Sequence, residues 1–117
     1  MREDFSRGKE EMSALDALWG ATLREFMFNV ATHSLVLSGE ATENGSLRRF
    51  SLVMRGISEL RFLDPNAELW DYAEITSTEA WRPEPNGPLL IRIVFWKEEW
   101  SLTIQCSSAE LDGRPLE

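Results

Sequence analysis

The residues of this 117-residue chain that could do chemistry are few and scattered. The sole histidine, His33, stands between Thr32 and Ser34, and the sole thiol is Cys106. Nucleophilic catalysis needs a nucleophile, a base and an orienting group held together. His33 reads as a solvent-exposed residue of a hairpin tip. Cys106 ends the alternating run Trp100 to Cys106 on its apolar side, where a cysteine behaves as a small hydrophobe. One cysteine and one histidine also exclude the usual structural zinc sites. Asp64, Glu68, Asp71, Glu74 and Glu79 crowd one third of the chain, but no Asp-x-Asp-x-Asp-Gly calcium loop frames them. Gly39, Gly45 and Gly56 stand alone, so no phosphate-cradling loop is present. The expectation is a chain with no catalytic residue, no metal and no cofactor.

That leaves the aromatics. Five tryptophans, Trp19, Trp70, Trp81, Trp96 and Trp100, are a high load for one small domain. An indole anchors interfaces because it brings a large rigid area and one donor. It also suits the core and rim of β proteins. Trp96 and Trp100 flank the charged tip Lys97-Glu98-Glu99 and read as the rim of a core. Trp70, Asp71, Tyr72, Glu74 and Trp81 combine aromatic and acidic character beside loops, and form the candidate binding surface. The net charge of −8 disfavours nucleic acid, whose phosphates need a basic face, and suits a basic protein partner.

These residues must be positioned by short, mostly extended elements. Residues 1–12 are polar, with no core-facing pattern. Met12, Leu15, Leu18 and Trp19 recur at i, i+3, i+4, with Ser13 and Asp16 as a cap and Gly20 as a stop, so a short amphipathic helix is expected near 10–19. The period then changes to two. Phe26, Phe28 and Val30 share one face, Leu35 and Leu37 another, and Asn44-Gly45 carries the signature of a type I′ hairpin turn. Phe50, Leu52 and Met54 alternate with Ser51, Val53 and Arg55 before Gly56 interrupts as a bulge or bend. Leu60 and Phe62 resume the pattern, Asp64-Pro65-Asn66 turns it, and Ile75, Thr76 and Thr78 favour a strand at about 72–81. The proline-rich stretch 82–88 cannot be regular. Leu89 to Trp96 is apolar on both faces, as in a central or sandwiched strand, and Trp100, Leu102, Ile104 and Cys106 share the apolar side of the next. The tail extends that strand through Leu111 until Gly113 and Pro115 release it. The expected fold is mostly β: one antiparallel sandwich or partly open barrel of about seven strands over residues 13–117, with an N-terminal helix.

The segments LWGATLREFMFNVATHSLVLSGEA, RRFSLVMRGISELRFLDP, LWDYAEI and IRIVFWKEEWSLTIQCSSAEL resemble a group of small uncharacterised bacterial proteins. Some of that group look like immunity proteins of contact-dependent or polymorphic toxin systems. The resemblance spans roughly residues 18–111 and rests on apolar positions and turns. It implies a mostly β domain without catalytic residues that binds a cognate protein, and it assigns no site residue. Three function classes follow. The first is a non-enzymatic binding protein. The second is a small-ligand container lined by Phe26, Phe28, Phe50, Leu52, Trp100 and Leu102. The third, a carboxylate-pair enzyme, has the least in its favour. A homodimer is compatible with each. A lone cysteine, a charged N-terminus and the lack of any run of roughly 18–20 apolar residues suit a cytoplasmic protein away from membranes.

Overall fold

The computed structural model describes residues 13–64, 73–95 and 100–116. Ser13–Leu18 forms a 3₁₀ helix rather than the longer amphipathic helix expected over 10–19. Met12 and the side chains of Ser13 and Asp16 lie outside the described residues. A 3₁₀ helix repeats every three residues. Leu15, Leu18 and the following Ala21 therefore stack on one side, and all three are buried. Trp19 falls about a third of a turn away and stands 71% exposed, not on the apolar face where the i, i+4 rhythm put it. Gly20, at a φ of 78°, ends the element, and its N–H donates to the Ile75 carbonyl.

Nine strands follow among the described residues: β1 (Thr22–Asn29), β2 (Ser34–Glu43), β3 (Ser46–Arg55), β4 (Glu59–Leu63), β5 (Ala73–Trp81), β6 (Leu89–Phe95), β7 (Trp100–Cys106), β8 (Ser108–Leu111) and β9 (Arg114–Pro115). They form one sheet in the order β4-β7-β6-β5-β1-β2-β3-β8-β9, antiparallel at every pairing. The mostly β, antiparallel expectation holds, with two strands more than the sequence suggested. The tail does not simply extend β7. It becomes β8, which pairs with β3, and then turns back at Asp112-Gly113 into β9. Both turn residues have positive φ (54° and 84°), the same geometry that Asn44 and Gly45 adopt at 53° and 81°. Pro115 fits because β9 is an edge strand, where a missing donor costs no ladder bond.

Two junctions curl this sheet around a single core. At one, Thr22 and Leu23 of β1 pair with Glu74 and Ala73 of β5. At the other, Gly56 bends β3 into β4 while Ser107 bends β7 into β8. Ser107 donates to Arg55, Ser58 to Gln105 and Ile57 to His33, all through backbone N–H groups at 2.8–2.9 Å. Gly56 is required there: its φ is 70°, and a Cβ would lie 2.3 Å from Ser107 Oγ. Leu35, Leu37, Phe50, Leu52 and Met54 from one half meet Ile75, Leu89, Ile91, Ile93, Phe95, Leu102 and Ile104 from the other. β6, flanked by β5 and β7, is an interior strand, in keeping with the central or sandwiched position its two-faced apolar pattern called for.

Candidate binding surface

Chemistry-bearing side chains are not gathered anywhere among the described residues. His33 is exposed at the β1–β2 tip with a φ of 51°, and Cys106 is buried in the core. No group of three histidine, cysteine, aspartate or glutamate side chains is placed to hold a metal among those residues. No described helix is long and apolar enough to cross a membrane.

Of the candidate binding residues, Trp70, Asp71 and Tyr72 lie outside the described residues. Glu74 is exposed near the start of β5, opposite Thr22. Trp81 is half-buried at the strand's other end, opposite Leu90. Seven residues of extended chain separate this pair by roughly 23 Å, so the fold does not bring Glu74 and Trp81 together. Beside Trp81, the Arg82 guanidinium donates to the carbonyls of Gly87 and Ser107 and pins the proline-rich loop to the β7–β8 corner. The charged tip between Trp96 and Trp100 also lies outside the described residues. Trp100 itself is half-buried against the core, and its indole N–H donates to Asp64 Oδ1. It is rim structure, as expected.

The structure exposes apolar side chains elsewhere. Phe26 and Phe28 of β1 lie opposite Leu37 and Leu35, and Phe62 of β4 lies opposite Leu102, so all three belong to the core side of the sheet. Yet they are 40%, 39% and 44% exposed. Phe26 and Phe62 meet edge to face, with ring centroids 5.9 Å apart. This is the favoured geometry for two aromatic quadrupoles. Val30, beyond the end of β1, is exposed as well, and so are Met27 and Leu63 on the opposite faces of their strands. The core thus reaches the surface as an aromatic rim where β1 approaches β4. Of the expected container lining, Phe50, Leu52 and Leu102 are instead buried within the continuous core. The sequence signal for the rim was the run Phe26-Met27-Phe28, apolar on both faces of a strand that β5 covers only at Thr22 and Leu23.

On the opposite side of β1 a different surface appears. A bulge between Leu23 and Glu25 sets Arg24 out of the alternation. Gly39 makes that close approach of the backbones feasible, since a Cβ there would lie 1.9 Å from the Thr22 carbonyl oxygen. A groove of about 270 Å³ opens beside it, lined by Arg24, Glu25, Ser38, Gly39, Glu40, Arg49 and Phe50. Arg24 is engaged by Glu40 at 3.2 Å. No protein-family model matches this chain, and no curated protein matches it.

Proposed function

We propose that this chain is a non-enzymatic, immunity-like binding domain that takes a protein partner with a basic surface. One observation carries the reading: three phenylalanines on the core side of the sheet, Phe26, Phe28 and Phe62, reach solvent together, two of them in edge-to-face contact. A contiguous exposed apolar patch costs solubility unless something docks on it. The net charge of −8 favours a cationic partner by steering its approach. The resemblance to immunity-like bacterial proteins points the same way, and a cytoplasmic setting suits it.

The test is co-purification of the full chain from its own host, read by native mass spectrometry, with Phe62→Ser compared against wild type. A defined protein retained by wild type and lost by Phe62→Ser, with melting of the variant still cooperative, supports the reading. Retention of a small molecule would replace it with the container. Equal retention of a protein by both chains would move the site away from the rim.

A further inference from the structure

The outward face of β1, β2 and β3 has the pattern of a surface that matches itself. Residues directly opposite in an antiparallel ladder share a face. Met27 of β1, Val36 of β2 and Val53 of β3 therefore form one row, on the side away from Leu35, Leu37 and Phe50. Val36 and Val53 are half-buried, and Met27 is 65% exposed. Toward the groove, Glu25 and Ser38 form the next outward position, and Glu40 with Arg49 the one after. Two charges here are unspent. The Glu25 carboxylate and the Arg49 guanidinium are both exposed, and neither has an ion pair among the described residues. Their neighbours are neutralised: Arg24 by Glu40, Arg48 by Asp112 and Arg55 by Glu110.

We infer that this face is a two-fold interface between two copies of the chain. A closed dimer needs a patch complementary to itself, in which residue i meets j and j meets i. A two-fold axis running along β2 provides that. It sets Met27 on Val53 of the second copy and Val36 on its own counterpart, closing an apolar row. It also brings Arg49, on β3, to the β1 side of the other copy, within diagonal reach of Glu25, and it does so twice. The unspent anion and cation lie on the outer two strands of a three-stranded face, the arrangement such an axis exchanges. This surface is separate from the aromatic rim, so the dimer leaves that rim open.

Sedimentation velocity over a wide concentration series tests it on the full chain, whose monomer mass is 13.4 kDa. Wild type should approach twice that mass as concentration rises. Arg49→Glu and Glu25→Lys should each weaken association by roughly tenfold or more, because like charges would then face across the interface. The double variant carrying both changes should recover it. Both side chains are exposed and neither has an ion pair among the described residues, so each variant should still melt cooperatively, and Met27→Lys provides a second disruption at the apolar row. A monomer at every concentration overturns the inference. So does a dimer that neither charge reversal weakens, or one that the double exchange fails to restore.

Discussion

Gly39 shows how one missing side chain sets local geometry. Its backbone lies opposite Leu23 on one side and Phe50 on the other. A Cβ would lie 1.9 Å from the Thr22 carbonyl oxygen and 2.9 Å from the Phe50 ring. Gly39→Ala should therefore cost about 3 kcal/mol, the upper end for overpacking, in urea unfolding. A cost under about 0.5 kcal/mol, ordinary for a surface change, would show that the bulge yields. Asp112 makes a different point. Burial pushes its carboxyl up, but the hydrogen bonds from Arg48 and from the Ser51 N–H, with the attraction of Arg48 and Arg114, outweigh it. The group is held below its ordinary value of 3.8. A carboxylate lowered by folding adds stability above its unfolded value and loses it as pH falls through the folded one. Wild type should lose stability as pH drops below about 3.8. Asp112→Asn should be less stable near neutrality and should flatten that acid limb in pH-dependent melting.

At the scale of elements, the 3₁₀ helix and the hairpins respond to different forces. Period three buries Leu18 and exposes Trp19. Leu18→Ala should cost about 2–5 kcal/mol, while Trp19→Ser should stay within about 0.5 kcal/mol of wild type. Thermal melts of the pair decide it, and equal losses would restore the α-helical register. The two tight turns are matched by chemistry: Asn44-Gly45 and Asp112-Gly113 each place two successive residues at positive φ. Type I′ geometry follows the right-handed twist of the flanking strands, which is why such dipeptides end hairpins. Asn-Gly was legible as a turn, and Asp112-Gly113 carried the same signal. It was obscured because apolar alternation resumes in β8 at Ala109 and Leu111, one residue out of phase with Leu102, Ile104 and Cys106, while β8 pairs with a different strand.

Over the whole molecule, two halves joined at the β1–β5 ladder and the Gly56–Ser107 corner share a single core cluster. A core common to both halves leaves neither able to bury its apolar face alone. Urea unfolding followed by tryptophan fluorescence and by far-ultraviolet circular dichroism should thus give coincident transitions. Separated midpoints would mean that one half opens first. The sequence by itself determined what period two and turn chemistry control: that Leu35, Leu37, Phe50, Leu52, Met54, Leu102 and Ile104 lie on the apolar side of their strands, that the chain reverses at Asn44-Gly45, and that β6 is covered on both faces. Each of those depends on neighbours a few residues away. Tertiary structure alone decided that β8 leaves β7 for β3, that Phe26, Phe28 and Phe62 reach solvent from the core side, and that Glu25 and Arg49 share one face. Those outcomes depend on which strands lie side by side, and pairing joins residues distant in the chain through backbone groups every residue possesses. Alternation can say which way a side chain points within its strand. It carries no record of what lies across from it.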